Sequence, residues 1–170
     1  MIGRYSPGRI LTLGGECSVS VAPFSWLAER YGDALAVLWI DSHPDVGTPA
    51  SHYSGYHAMA IAALTGHGDP DVLRLLPATL DPGRVALVGL HAWSEDDFPN
   101  IARWGISSFR PDELHRSSQP LLDWLEASGC SRVLMLSSTP RARFTYPGIQ
   151  SDTPPPPCFP VLSGAGTSRG

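Results

Sequence analysis

Apolar residues in the first 136 positions form short runs that alternate with amphipathic stretches. Six consecutive apolar residues at 35–40 indicate a parallel strand that is buried on both faces. The predicted strands are 9–13, 35–40, 85–90, 105–109 and 131–136. The predicted helices are 18–31, 57–64, 70–76, 96–103 and 119–127. This alternation predicts an α/β fold with a mainly parallel sheet.

The composition changes near residue 136. From 137 onward the only acid is Asp152, apolar periodicity is lost, and prolines accumulate, including four in a row at 154–157. We therefore expect one α/β domain at 1–136 and a tail at 137–170 that adds little to the core. The tail is either a genuine disordered segment or the out-of-frame translation of GC-rich coding sequence.

Charge and cysteine content narrow the range of partners. The formal net charge is −4, and all 12 basic residues are arginines that form no cluster. This argues against nucleic acid or an anionic membrane as a partner.

Without an apolar run of about 18 residues or a signal-peptide core, we expect a cytoplasmic protein. The three cysteines, Cys17, Cys130 and Cys158, are too widely spaced for a disulfide framework or a zinc clip.

Polar side chains follow the predicted strand at 35–40, where residues 41–45 read Asp-Ser-His-Pro-Asp. Alternate residues of an extended segment point the same way, so we expect Asp41, His43 and Asp45 to face one locus. Clustered carboxylates and an imidazole repel or desolvate one another unless a cation lies among them, and these donors suit Mn²⁺, Fe²⁺ or Zn²⁺. The alternative is a polar turn, in which the aspartates cap a helix or face solvent.

A second polar segment, Gly-Gly-Glu-Cys-Ser at 14–18, follows the predicted strand at 9–13 and opens a predicted helix. Paired glycines allow a tight turn and close backbone approach. Cys17 lies near the start of the helix, where a thiolate is favoured. It is interpreted as a metal ligand, a reactive thiol or a small buried apolar residue.

Together these segments resemble the ureohydrolase family, which includes arginase, agmatinase and formimidoylglutamase. Residues 14–18 resemble its G-G-D-H-S motif, and residues 41–45 resemble its D-A-H-x-D motif. Residues 54–59 are similar to its S-G-N-x-H-G segment but one residue shorter, and 88–91 resemble the strand that ends in its V-G-x-R turn. The likeness covers about residues 9–136.

The resemblance implies a three-layer α/β/α fold with a dinuclear manganese centre. Family members hydrolyse a guanidinium or related C–N bond of a small guanidino compound, using a metal-bridging hydroxide and usually releasing urea. By motif match, His57 is the proton-shuttling histidine, with His52 as a rival, and Ser54 contacts the substrate. The implied metal ligands are Cys17, Asp41, His43 and Asp45.

Two departures bear on function. Cys17 stands where the family has a histidine, and its soft thiolate weakens manganese binding or favours zinc or iron. The strand at 131–136 is followed by Ser-Ser-Thr-Pro, where the family has the acidic motif S-x-D-x-D-x-x-D-P that completes both metal shells. The family's first strand and helix are also missing. We therefore expect this chain to correspond to the middle of a larger domain that is incomplete at both ends. An incomplete domain exposes apolar sheet surface, which favours homo-oligomers.

Three hypotheses remain. The first is a ureohydrolase-type C–N hydrolase. The second is an inactive fragment that binds a metal weakly or an intact partner subunit. The third is a deacetylase-like amidohydrolase on the same architecture. The paired glycines and their spacing to Asp41 favour the first over the third, whereas the missing acidic motif favours inactivity of this chain.

Overall fold

Four parallel strands form the centre of the computed structural model, which describes residues 2–137. They are β1 (Leu35–Ile40), β2 (Val85–Val88), β3 (Ser107–Phe109) and β4 (Arg132–Ser137). Their order across the sheet is β3-β2-β1-β4. The apolar β1 therefore has a strand on each side, with Ile40 level with Val88 of β2 and Ser137 of β4.

Helices cover both faces of this sheet, as a three-layer arrangement requires. They are α1 (Val21–Tyr31), α2 (Ala60–Leu64), α3 (Pro70–Leu73), α4 (Pro99–Trp104), α5 (Pro111–Arg116) and α6 (Gln119–Ala127). Successive residues of a strand point to opposite faces. Val37 and Trp39 accordingly pack in the larger core with α1 and α2. Leu38 belongs to a smaller cluster with side chains of α5 and α6.

The sequence pattern located most of these elements. The strand at 35–40 and the helix at 119–127 are confirmed with the expected bounds. The strand expected at 85–90 ends at Val88, because Gly89 adopts a φ of 89° and turns the chain out of the sheet. The helix expected at 96–103 begins only at Pro99, and α5 was not predicted.

The strand expected at 9–13 is wrong. These residues form neither strand nor helix, and the side chain of Leu11 is 85% exposed. Both sides of β1 are already occupied by β2 and β4, and no strand of the described region pairs with this run. The expectation for the tail falls outside the described residues, except that Ser137 ends β4.

The short helix α2 is the most deeply buried of the six, since none of its five residues is exposed to solvent. Leu64→Ala removes a side chain from this core and should lower the free energy of unfolding by about 2–5 kcal/mol. The exposed Leu75, with 82% of its surface accessible, provides the control, because Leu75→Ala should cost less than about 0.5 kcal/mol. Urea unfolding of the 170-residue chain, followed by circular dichroism, measures both, and equal losses would contradict the packing of α2.

Candidate metal centre

A thiol and two carboxylates meet at the carboxyl end of β1. One side-chain ligand atom from each of Cys17, Asp41 and Asp45 lies within 4.8 Å of the other two. The Cys17 thiol donates to Oδ2 of Asp41 at 3.6 Å. Asp45 is buried, and the other two are partly buried. In parallel α/β sheets this edge is where ligands bind.

Cys17 reaches the cluster because the chain turns sharply before it. Residues 15–16 form a bend, and a 3₁₀ turn at Cys17–Ser20 leads directly into α1. A Cβ atom on Gly14 would lie 2.2 Å from Cγ1 of Val19, so only glycine fits this close approach. The close approach at Gly14 is to a side chain rather than to backbone, whereas a Cβ atom on Gly15 would meet nothing within 4 Å.

Asp45 adopts a left-handed conformation, with a φ of 48°. Such a conformation costs a residue other than glycine on the order of 1–2 kcal/mol and persists only when neighbouring contacts hold it. The backbone amides of Ile61 and Ala62, in the first turn of α2, donate to its carbonyl oxygen at 2.9 and 3.3 Å. Nε1 of Trp39, from the core of β1, donates to its carboxylate at 3.2 Å. Backbone and side chain of Asp45 are thus both anchored.

The segment after Asp45 is held by α4 and the turn before it. The Asn100 side-chain amide donates to the carbonyl oxygen of Val46 at 3.1 Å. The Asp97 carboxylate accepts hydrogen bonds from the hydroxyls of Ser94 and Ser51. These bonds connect the loop at 46–51 to the buried Asp97.

His43 lies at the rim of the cluster rather than among its three donors. Its side chain is 61% exposed, and Nδ1 is 3.6 Å from Oδ1 of Asp41. Its backbone amide donates to the same oxygen at 2.9 Å, which makes a local turn. The chain therefore does not run straight from Asp41 to Asp45, and the alternation argument does not bring the imidazole to the locus. A ligand role for His43 remains a prediction.

The cluster opens into a cavity of about 470 Å³. His57 lines this cavity, with Nε2 3.3 Å from the Tyr53 hydroxyl and Nδ1 3.5 Å from a carboxylate oxygen of Glu16. The lining residues are Cys17, Asp41, His43, Pro44, Asp45, Val46, Tyr53, His57, Ala58, Ala92, Trp93, Ser94 and Asp97.

Two other predicted residues do not line the cavity. The His52 side chain is 95% exposed and lies 3.7 Å from Asp96, so it does not compete with His57 for this position. Ser54 is exposed and is not part of the lining, and its contact with substrate remains a prediction. Tyr53, Trp93 and Asp97 were missed by sequence reasoning. The acidic run at 95–97 was the one signal in the sequence for a functional residue in this region, but the predicted helix at 96–103 includes Asp97.

The electrostatics of the cluster suit a cation. The pKa of the Asp45 carboxyl is raised from 3.8 to about 6: burial raises it most, the charge of Asp41 adds to the rise, and hydrogen bonds from Cys17 and Trp39 oppose it in part. None of these neighbours carries a fixed positive charge. A divalent cation between the carboxylates would remove the repulsion. The three donors fit one such ion, and a mixed set of sulfur and oxygen is within the range that transition metals accept.

The sequence model described as Arginase family matches residues 5–135. The chain belongs to the arginase family. The match includes all three donors of the cluster and the whole described cavity. Membership of this family favours the first hypothesis from the sequence over a deacetylase-like enzyme. Metal binding is typical of the arginase family.

Curated relatives agree with this membership. The arginase of Eremothecium gossypii is 36% identical over 107 residues, which make up 60% of this chain and 27% of that protein. The arginase of Bacillus caldovelox is 31% identical over 109 residues, or 62% of this chain and 36% of that protein. The chain thus spans between 27% and 36% of the length of these two relatives.

Solved structures show the same arginase fold. The crystal structure of arginase from Bacillus cereus superposes with a TM-score of 0.64 at 26% identity, covering 72% of this chain and 44% of that one. Formimidoylglutamase from Bacillus subtilis superposes with a TM-score of 0.56 at 14% identity, covering 72% of this chain and 36% of the other, which is a likeness of fold alone. The expected three-layer fold is confirmed.

Within residues 2–137, no helix of this arginase-family chain is both long and apolar enough to cross a bilayer.

The raised pKa of Asp45 predicts how stability depends on pH in the absence of metal. Between pH 3.8 and about 6 the folded chain holds the Asp45 proton more tightly than the unfolded chain does. The free energy of unfolding should therefore fall as the pH rises through this window, by on the order of 3 kcal/mol. Asp45→Asn should lack this component. Urea unfolding at pH 4 and pH 7 in the presence of a chelator measures the difference between the two proteins.

The exposed Asp123 on α6 provides the matched control for this experiment. Asp123→Asn should keep the pH dependence of the parent chain. Identical pH profiles for the parent and Asp45→Asn would contradict the electrostatic account of the cluster.

Proposed function

We propose that this chain contributes to the hydrolysis of a C–N bond in a small guanidino compound, and that it holds one divalent cation of the metal centre. The cation is the manganese expected for the family, or zinc or iron in view of Cys17. The observation that supports this most directly is the group of Cys17, Asp41 and Asp45, which opens into a cavity lined by His57. When bound, divalent cations lower the pKa of a water molecule and stabilise charge developing at the attacked carbon.

The two carboxylates have one role in this proposal, which is to hold the cation. Asp41 and Asp45 together supply the two negative charges that neutralise a divalent ion. Trp39 and the first turn of α2 keep Asp45 in place during these changes of charge. Pre-organised ligands lose little conformational entropy on binding.

His57 is suited to move a proton at the mouth of the cavity. Its Nδ1 faces Glu16 at 3.5 Å, and its Nε2 is 3.3 Å from the Tyr53 hydroxyl. A carboxylate beside one ring nitrogen orients the imidazole and leaves the other nitrogen to exchange a proton. We assign His57 the proton-transfer role and keep Ser54 as a residue that contacts the tail of the substrate.

A second candidate, a chain that binds a cation without turnover, is favoured by the neighbouring strand. β4 lies beside β1, with Ser137 level with Ile40, the residue before Asp41. In the sequence, Ser137 is followed by Ser138, Thr139 and Pro140, and no acid occurs before Asp152. Two cations need more anionic donors than one cluster of three offers. We therefore propose that this chain alone binds one cation and is catalytically silent.

Titration of the purified 170-residue chain with Mn²⁺ or Zn²⁺ should show one site per chain. Asp45→Asn should weaken binding of both ions by at least about tenfold, because it removes a buried anionic donor. Isothermal titration calorimetry measures stoichiometry and affinity together. Asp123→Asn should bind like the parent chain, and unchanged binding by Asp45→Asn would place the cation elsewhere.

The same chain, supplied with Mn²⁺, should release no detectable urea from arginine, agmatine or guanidino acids. The reason is that a single cation provides half of the two-metal arrangement that this chemistry uses. A colorimetric urea assay at high protein concentration is the measurement. Turnover that is present in the parent chain and abolished by Asp41→Ala would overturn the silent assignment and leave the hydrolase proposal standing.

A further inference from the structure

We propose that Cys17 makes this centre selective for a thiophilic cation, zinc above all, over manganese. The proposal rests on the proposed function in one respect: both place a cation among Cys17, Asp41 and Asp45. It goes further by identifying the metal and the side chain that selects it.

The spacing of Cys17 and Asp41 is compatible with two ligands of one zinc ion. Sulfur lies about 2.3 Å and a carboxylate oxygen about 2.1 Å from tetrahedral zinc, so two such ligands on one ion are about 3.6 Å apart. Sγ of Cys17 and Oδ2 of Asp41 are separated by 3.6 Å. The ligand atom of Asp45 lies within 4.8 Å of both. A small adjustment of side chains would therefore place all three on one ion.

The chemistry of the donor set points the same way. A thiolate is a soft ligand that zinc accepts readily, whereas manganese prefers a shell of carboxylate, carbonyl and water oxygens. Three protein donors and one open position are typical of reactive zinc sites. Here the open side faces the cavity of about 470 Å³.

The surroundings make Cys17 a fixed member of the site. It begins the 3₁₀ turn at Cys17–Ser20, and its side chain packs against the larger core. Gly14 admits no side chain beside Val19 in this turn. The thiol is held beside Asp41 by the backbone, so its contribution to selectivity does not depend on a mobile loop.

Absorption spectroscopy with Cd²⁺ and Co²⁺ tests the proposal without any measurement of activity. In the full chain these ions should produce the ultraviolet charge-transfer band of a metal–thiolate bond. The variant with both Cys130→Ser and Cys158→Ser, which keeps Cys17 as its single cysteine, should retain the band. Cys17→Ser should abolish it. Thermal unfolding of each variant verifies that it is folded.

Competition against a chromophoric chelator then measures selectivity. Cys17→Ser should weaken Zn²⁺ binding by at least about tenfold and change Mn²⁺ binding by less than about threefold, because only zinc gains strongly from the sulfur donor. Cys17→His, which substitutes a harder nitrogen donor, should shift the ratio of affinities toward Mn²⁺. The double Ser variant should have the ratio of the parent chain.

The outcomes separate this proposal from the one on which it rests. If Zn²⁺ and Mn²⁺ bind and Asp45→Asn weakens both, but Cys17→Ser changes neither the band nor the ratio, thiol selectivity is wrong and the metal centre stands. If the parent chain binds neither ion, both proposals are overturned. The proposal is supported if Cys17→Ser loses both the band and the zinc preference while the double Ser variant keeps both.

Discussion

The buried carboxylate of Asp45 connects the core of this protein to its candidate site. Its side chain is bonded to Trp39, a fully buried residue in the central strand β1, and its backbone carbonyl accepts from the first turn of α2. These contacts hold Asp45 in a left-handed conformation, which is uncommon for a residue other than glycine. Buried apolar elements of the fold thus position this polar residue.

This placement has an electrostatic cost that explains why the site suits a cation. Burial and the neighbouring Asp41 both disfavour the charged form of Asp45, and the donors Trp39 and Cys17 compensate only in part. Such an arrangement is favourable in a folded protein when a positive ion completes it. Under the proposed function, the same feature would lower the stability of the metal-free chain and provide affinity for a cation. Stability and the proposed function would then depend on one interaction at this end of the sheet.

β1 ends in the acidic segment, and β4, which lies beside it, ends level with it. The next residues along the sequence carry no acid before Asp152. The chain belongs to the arginase family and spans less than half of the length of the relatives described above. Under the proposal of a single cation, the chain would supply one side of a two-metal centre, with Cys17 as one of its ligands.

The linear pattern was sufficient to predict the central strand at 35–40, the helix at 119–127 and the α/β class, because continuous apolar runs and helical periodicity are local properties. It also placed Asp41 and Asp45 at a strand end. It was wrong about residues 9–13, since an apolar run becomes a strand only if a neighbour is available. Proximity of Cys17 to Asp41, the rim position of His43 and the choice of His57 over His52 followed from the tertiary structure. Each depends on turns and side-chain directions set by contacts between residues far apart in sequence.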